Sequence, residues 1–502
     1  MLLNMGLIAD GTSLLMNWTM PLIIIGGMFL GLLIGVIPGM TGALGLAVIL
    51  PLTFRLDALS ALMLLTAVYT GSLTGGGVLA ILVNAPGTPG AVATTFDGYP
   101  MAVQGRQNEA LGLQIAASVV GGAAGYLMLL VFIEPMAKLA LRFGTPEMLF
   151  LTILVMLMVA AMQRRSYVRT IFAGIFGLLL STIGTSTVTG VPRGTFGITA
   201  LEDGLPAVLC VIGAFAIPEL INVAARARIA EKITARADDL PRMLRGMRDA
   251  LAMPKVLLRG SAIGIVVGLL PAAGASIASL LSYSLTAKAS GHPERFGKGE
   301  PAGVVAAESA NNASEGGAMA ILMALGVPGS ASTAVILGGF MLHGLIPGPR
   351  LFQDNGALVY GLIIGNLAQM ALLGFCAILI AVYVGRIVVL PTKLLIPALL
   401  VLLALGAFSY RNVFEDVIIT FLFGFIGYMF RRHHFSLVAL MLGLFLGRQI
   451  DDDMARFIIL YGDNPLGLLD RPLTVTLAVL SLALLGWQAL SAWRGRQRAS
   501  LR

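Results

Sequence analysis

Apolar runs of about 20 residues recur along this chain, and they constrain its fold more than any other feature. The run Leu473–Leu490 is nearly long enough to cross a hydrocarbon core as a helix, whereas Leu149–Ala161 is shorter. Only 12% of the residues are charged, against about 25% in soluble domains. Because backbone groups in lipid must be hydrogen-bonded within their own segment, spanning elements are expected to be helices. The sequence therefore predicts an all-α polytopic membrane protein with about 10 to 14 membrane segments.

The net charge of +8 comes from basic residues in the connections between apolar runs, which argues against a nucleic-acid partner. Segment 225–259 is rich in Lys and Arg, and the C-terminus adds further arginines, whereas the first 20 residues have no basic residue. By the positive-inside rule, this segment and the C-terminus are expected in the cytoplasm and the N-terminus in the periplasm of an inner-membrane protein. The N-terminus lacks the basic and cleavage-site features of a removable signal peptide.

The basic segment also contains apolar residues at helical spacing, which predict an amphipathic helix on the cytoplasmic surface (Leu240, Met243, Leu244, Met247 and Leu251). It divides the chain into a first membrane repeat in residues 1–224, a basic cytoplasmic connecting segment in 225–259, and a second membrane repeat with C-terminal helices in 260–502. Cys210 and Cys376 lie alone in apolar runs, so both are interpreted as packing residues.

Similar Gly/Pro-interrupted stretches occur in the same order in both halves, which predicts an internal duplication. Along the two halves, the matched stretches are Gly31–Pro38 with Gly264–Pro271, Gly76–Gly77 with Gly316–Gly317, and Pro86–Gly90 with Pro328–Ser332. Proline removes a backbone donor and resists helix continuation, and glycine tolerates conformations closed to other residues. We therefore expect broken helices or re-entrant hairpins in both repeats. The sequence alone leaves open whether the repeats are inverted.

Interrupted helices at matching positions of two repeats are the best sequence pointer to the binding site of a secondary transporter. Half-helix N-termini suit an anion, and carbonyl groups of opposite polarity suit Na⁺. The predicted substrate-binding residues are Thr41, Asn84, Pro86, Gly87, Thr88, Asn311, Asn312, Pro328, Gly329 and Ser330. The candidates for ion coupling are Gly39, Ser276, Glu308 and Ser332. The alternative interpretation is that these small residues only allow close helix packing.

Acidic groups at membrane depth are costly and are functional candidates by default. On a continuous helix Glu308 and Glu315 would share one face, and both ion coupling and helix capping are open for them. Asp97–Pro100 predicts a turn with a structural use. Arg193, a lone cation in a polar break, is expected to anchor a loop at the headgroups.

Sequence motifs of enzymes are absent: there is no Walker A sequence, no nucleophile elbow and no His-Glu-x-x-His. The sequence therefore predicts a transporter for a small organic anion and not an enzyme. Two alternatives remain, a channel or passive anion pore and a membrane-embedded enzyme that uses Glu308 and Glu315. The sequence lacks the charged rings expected of a selectivity filter, which argues against the pore.

In combination these motifs resemble those of the large membrane subunit of the tripartite tricarboxylate transporters. The resemblance is carried by Gly31–Gly42, Ile81–Gly90, Asp97–Ala102, Phe215–Glu219, Glu308–Ala313 and Gly326–Ser330. The sequence departs from that family at Gly194, where a bulky residue is usual, and at Glu315, where a small or apolar residue is usual.

The resemblance implies a secondary transporter that works with a small four-helix membrane subunit and a periplasmic solute-binding protein. The binding protein would deliver a small carboxylate to the outer face, and a Na⁺ or H⁺ gradient would drive uptake. The resemblance also implies inverted repeats and an elevator-like movement. No cofactor is implied apart from Na⁺ as a candidate coupling ion.

Overall fold

A computed structural model describes residues 4–37, 39–140, 142–162, 167–186, 190–224, 239–387, 392–462 and 470–500. Helices account for most of these residues, so the prediction of an all-α class is confirmed. Pro38 and residues 225–238, which form the first part of the basic segment, lie outside the described residues.

The helices are numbered here in chain order. They are α1 Met5–Leu15, α2 Thr19–Val36, α3 Gly42–Ile49, α4 Ala58–Val83, α5 Val92–Val103, α6 Gln107–Ala140, α7 Thr145–Met162, α8 Tyr167–Ser181, α9 Ala207–Ala224, α10 Leu240–Leu251, α11 Pro254–Gly268, α12 Gly274–Ala289, α13 Pro301–Leu325, α14 Ala331–Leu342, α15 Pro349–Asp354, α16 Gly356–Ile387, α17 Thr392–Arg411, α18 Phe414–Arg432, α19 Leu437–Tyr461 and α20 Pro472–Ser500. Strands β1 Gly184–Thr185 and β2 Pro192–Arg193 form one antiparallel pair.

In the described part of the chain, five helices are long and apolar enough to cross a membrane: Thr19–Val36, Ala58–Val83, Gln107–Met136, Ala207–Ala224 and Gly356–Tyr383. The number rises to six if α10 and α11, which meet at 76°, count as one bent span. These segments indicate a multi-pass membrane protein. The predicted 10 to 14 segments require that several of the shorter apolar helices, of 10–17 residues, contribute as well.

The chain divides into two compact units. The first comprises residues 1–137 and 211–427, and the second comprises residues 138–210 and 428–502. Each unit therefore takes residues from both of the predicted repeats. In the first unit α2 packs on α4, α11 and α12 pack on α13, and α1 packs on α16.

The second unit pairs α8 with α19 and α7 with α20. Gly177 lets α8 and α19 touch along their backbones, because a Cβ there would lie 2.1 Å from the carbonyl oxygen of Leu440. On β2 the guanidinium of Arg193 pairs with the carboxylate of Asp451, and this hydrogen bond raises the pKa of Arg193. The charge of Arg193 is thus balanced within the protein, and its expected role as a headgroup anchor stays a prediction.

The predicted amphipathic helix corresponds to α10, which buries Met243 and exposes Leu244. The predicted turn at Asp97–Pro100 is wrong, because these residues lie within α5. Tertiary contacts explain the difference. The Asp97 carboxylate accepts hydrogen bonds from the N–H groups of Gly299 and Glu300, both at 2.8 Å. Gly98 serves close packing, since a Cβ there would lie 2.7 Å from Cγ1 of Ile81. Neither Cys210 nor Cys376 forms a disulfide, and both are buried.

Candidate functional site

The residues that follow α4 fold back onto the α2–α4 pair through glycine contacts. A Cβ on Gly87 would lie 1.9 Å from the carbonyl oxygen of Gly35 and 2.8 Å from Cα of Gly76. The N–H of Gly87 donates to the carbonyl of Gly76 at 3.3 Å. Any side chain at Gly87 would collide with backbone, so this position needs glycine for space. The predicted residue Gly87 is thereby fixed beside α2, and Thr88 lies against Gly76 of α4.

A matching arrangement follows α13. A Cβ on Gly329 would lie 2.9 Å from Cβ of Ala318 and 3.0 Å from the carbonyl oxygen of Gly268. Pro328 and Gly329 are buried here, and Ser330 caps α14 by accepting a hydrogen bond from the N–H of Thr333 at 3.2 Å. Such a cap satisfies one of the free donors at the helix N-terminus. The Ser330 hydroxyl thus already has a partner.

The first turns of α3 and α14 meet. Thr41 caps α3 by accepting from the N–H of Leu44 at 3.3 Å. A Cβ on Gly42 would lie 2.5 Å from Oγ of Ser72 and 3.2 Å from Oγ of Ser332. The predicted residues Thr41 and Ser332 are therefore neighbours, although they are far apart in the sequence. Gly39, with φ of 87°, supplies the left-handed conformation before α3.

The start of α5 meets the start of α12 at the side chain of Asn311. A Cβ on Gly90 would lie 3.0 Å from Cβ of Ala275 and 2.1 Å from Oδ1 of Asn311. Asn311 is 0% exposed, and neither Oδ1 nor Nδ2 has a hydrogen-bond partner among the described residues. Its amide is close enough to interact with the Glu308 carboxyl, but without hydrogen-bond geometry.

Thr88, two residues before Gly90, is likewise buried with a hydroxyl that has no hydrogen-bond partner in the described ranges. Leaving a buried donor or acceptor unsatisfied costs about 1–3 kcal/mol. Buried polar groups without partners are rare in native proteins and call for an explanation such as a bound ligand or water. Thr88 and Asn311 are therefore the predicted substrate residues that best fit a ligand contact.

Asn312 differs from its neighbour because both ends of its amide are used. Its Oδ1 accepts from the Thr74 hydroxyl at 3.1 Å, and its Nδ2 reaches the carbonyl of Glu308 at 3.4 Å. The residue is 0% exposed. Asn312 therefore joins α13 to α4 inside the protein.

Glu308 and Glu315 both lie in the middle of α13, which runs unbroken through them. Helix capping, one of the two alternatives for these residues, is wrong for that reason. Both oxygens of Glu308 accept hydrogen bonds: Thr94 donates to Oε1, while Ser118 and Gln114 donate to Oε2 at 3.1 Å and 3.4 Å. The Glu308 carboxyl is fully enclosed by uncharged donors.

Asn84, Pro86 and Ser276, which are also predicted site residues, are not fully buried. Asn84 is exposed and adopts the left-handed conformation, with φ of 56° and ψ of 29°, at the C-terminal end of α4. Pro86 is also exposed, and Ser276 is half-buried in the first turn of α12. The left-handed backbone explains the asparagine at position 84, since Asn tolerates this region better than most residues.

Five polar residues around the two glutamates were missed as site residues: Thr70, Gln114, Ser118, Tyr126 and Gln369. A signal was present, because Gln114 and Ser118 are spaced four apart within an otherwise apolar helix. Polar side chains at that spacing share one face of a helix, and in a membrane such a face turns toward protein.

Residues 22–442 match the family described as the tripartite tricarboxylate transporter TctA family. An uncharacterized 52.8 kDa protein of Agrobacterium vitis, from the TAR-I ttuC' 3' region, is 32% identical over 464 residues, which cover 91% of this chain and 90% of that protein. A second protein of that bacterium, from the TAR-II ttuC' 3' region, is 32% identical over 223 residues, covering 44% of this chain and 90% of its own length. No solved structure matches the chain.

Proposed function

We propose, because this chain belongs to the TctA family of tripartite tricarboxylate transporters, that it is the membrane subunit of a secondary active transporter. It imports a small organic anion, a tricarboxylate or another carboxylate. The observation that carries this proposal is the pair of buried groups without hydrogen-bond partners in the described chain, the Asn311 amide and the Thr88 hydroxyl.

The chemistry of these groups suits a carboxylate that also carries a hydroxyl. The Asn311 Nδ2 and the Thr88 hydroxyl are donors for carboxylate oxygens, and Asn311 Oδ1 is an acceptor for a substrate hydroxyl. The side chain of Asn311, on α13, lies beside the starts of α5 and α12. The N-termini of these helices provide positive potential without a fixed cation. Such a site binds an anion reversibly, as transport requires.

Alternating access is supported by repeated packing in the two halves. A Cβ on Gly31 would lie 2.3 Å from the carbonyl oxygen of Val68, and one on Gly264 would lie 2.4 Å from that of Ala310. One helical turn further on, Gly35 approaches Ser72 and Gly268 approaches Ser314, each with a Cβ at 2.3 Å from the carbonyl oxygen. These contacts keep the same register in both halves, as two homologous repeats with broken helices would.

In this proposal the repeats are inverted and move in an elevator-like cycle. The partners are a small four-helix membrane subunit and a periplasmic solute-binding protein that delivers the carboxylate. A Na⁺ or H⁺ gradient drives uptake across the bacterial inner membrane, with the N-terminus in the periplasm and the basic C-terminus in the cytoplasm.

The test is uptake into proteoliposomes that contain the complete three-component system, with radiolabelled citrate as the first probe and other carboxylates after it. Asn311→Ala should reduce initial uptake at least tenfold, because it removes both unpartnered atoms of the amide. Asn17→Ala, at an exposed asparagine, is the matched control and should transport like the wild type.

Two outcomes would contradict the proposal. Wild-type uptake by Asn311→Ala would show that the site lies elsewhere. Uptake that persists after every ion gradient has been collapsed, and that does not need the binding protein, would identify a passive pore.

A further inference from the structure

Glu315 lies in a buried cluster that the proposed substrate site does not use. Its carboxyl is 0% exposed and faces α4, α6 and α16 within the first unit. The Thr70 hydroxyl of α4 donates to Oε1 at 2.6 Å, and the Tyr126 hydroxyl of α6 donates to the same atom at 2.8 Å. From α16, Gln369 donates to the Thr70 hydroxyl at 3.1 Å.

The two oxygens of Glu315 are not equivalent. Oε1 accepts both hydrogen bonds, whereas Oε2 has no hydrogen-bond partner among the residues that the structure describes. An ionised carboxylate has two equivalent oxygens that both need donors, whereas a neutral carboxylic acid has one acceptor oxygen and one hydroxyl. No donor from the described residues reaches Oε2, so the arrangement around Glu315 lacks the second donor that an ionised carboxylate needs, and Oε2 is the oxygen left to carry a proton.

Glu308, two turns away on the same helix, is the internal comparison. Donors reach both of its oxygens, from Thr94 on one side and from Ser118 and Gln114 on the other. The two carboxyls are equally buried, so burial alone does not account for the difference. Both oxygens of Glu308 therefore have donors, whereas in the described chain only one oxygen of Glu315 does.

The surroundings of Glu315 provide no counter-charge. The titratable groups that face it are Tyr69 of α4 and Tyr126 of α6, and α16 contributes the amides of Asn366 and Gln369. Within the described ranges, no Lys, Arg or His forms an ion pair with it, from α11 or α12 or any other packed element. A buried carboxylate without a partner charge is strongly disfavoured, and such groups take up a proton instead.

We propose that Glu315 is a proton-binding site and that its proton is the coupling ion of transport. This inference rests on the proposed function. The cluster is linked to the substrate region through Tyr69, whose hydroxyl lies 3.4 Å from Oγ of Ser330. When the proton leaves Oε2, the Thr70 and Tyr126 hydroxyls stay bonded to the carboxylate that remains. Gln369 Oε1 is buried without a partner in the described chain and can accept a hydrogen bond from a protonated neighbour.

The protonation state is tested directly by infrared difference spectroscopy on the purified complete complex at neutral pH. The wild type should show the carbonyl stretching band of a neutral carboxylic acid, and Glu315→Gln should lack it. Glu294→Gln, at an exposed glutamate, is the matched control and should retain the band. Persistence of the band in Glu315→Gln, or its absence from the wild type, would overturn the assignment.

The coupling is tested in proteoliposomes that contain a trapped pH-sensitive dye. Citrate and the binding protein, added outside, should acidify the lumen in the wild type and in Glu294→Gln. In Glu315→Gln, acidification per citrate taken up should fall at least tenfold. Wild-type acidification by Glu315→Gln would overturn the coupling role, as would citrate uptake that requires Na⁺ and moves no proton.

The two proposals fail in different ways. The infrared band needs no substrate, so it reports on Glu315 even if no carboxylate is transported. Absence of uptake by the wild type for every carboxylate tested would remove the transport function and with it the coupling role, while the protonation of Glu315 would stand or fall on the spectrum. If Glu315→Gln does not assemble, titration of the wild-type band with pH decides the same question.

Discussion

Helices α4 and α13 have the same backbone design and different chemistry. Both are packed against a glycine-bearing helix, α2 and α11, and both end in a left-handed residue, Asn84 or Gly326. A Pro-Gly pair follows each end. The side chains differ, because α13 carries two buried glutamates and two buried asparagines, whereas α4 supplies hydroxyls to them from Thr70 and Thr74.

This difference shows that two similar backbone arrangements can carry different chemistry. The backbone contacts that position the two interrupted regions occur twice, but the acids and amides lie on one helix. The following variants separate the shared scaffold from the unshared side chains.

The largest effect on stability is expected at Gly87 and Gly329, the glycines of the two Pro-Gly pairs. The space available for a Cβ differs between these two positions. Gly87→Ala places a methyl group 1.9 Å from a backbone oxygen and should lower the free energy of unfolding by about 3 kcal/mol. Gly329→Ala meets Ala318 at 2.9 Å and should cost less. Thermal unfolding of the purified protein in detergent measures both.

Gly26→Ala provides the control, because no described atom lies within 4 Å of a Cβ at that position of α2. It should unfold at the wild-type temperature. Equal destabilisation by Gly87→Ala and Gly329→Ala would show that the two regions are packed alike, contrary to the distances.

An intermediate effect is expected where α4 donates to α13. Thr74→Val keeps the shape of the side chain but leaves Oδ1 of Asn312 buried without its donor, which should cost about 2 kcal/mol. Thr74→Ser restores the hydroxyl and should recover most of this stability. If Thr74→Val unfolds at the wild-type temperature, Asn312 does not depend on α4 and remains available to a ligand.

The smallest effect is expected at the ends of the two helices. Asn84→Ala forces alanine into the left-handed conformation seen at φ of 56°, at a cost of about 1 kcal/mol. Asn84→Gly should keep both stability and citrate uptake, because Gly326 holds the same conformation at the end of α13. Loss of uptake in Asn84→Gly, with stability unchanged, would show that the Asn84 side chain contacts the substrate.

The sequence was most informative where one residue type has one physical use. The apolar runs Leu149–Ala161 and Leu473–Leu490 lie within α7 and α20, and the Pro-Gly stretches marked where α4 and α13 end. It was misleading at Asp97–Pro100, because the contacts of Asp97 come from residues about 200 positions away in the chain and local propensity does not register such contacts.

The sequence indicated which types of residue form the candidate site, but not which hydrogen bonds they make. Asn311 and Asn312 look alike in the sequence, yet one lacks a partner in the described structure and the other is bonded to Thr74. That distinction depends on which face of α13 meets α4, and therefore on helix rotation. For the same reason Gln114 and Tyr126 could not be assigned to particular glutamates before the fold was known.

The backbone-to-backbone seating of α2 on α4 and of α11 on α13 limits how this molecule can change shape. Side chains that interlock can switch rotamers and let two helices slide, but a carbonyl oxygen pressed against a glycine has no such freedom. Each pair is therefore expected to stay packed as one block, and any bending of the first unit falls on the short non-helical links, such as residues 84–88 and 326–330. Thr88 and Ser330 lie on these links, so such bending would also move two of the predicted substrate residues.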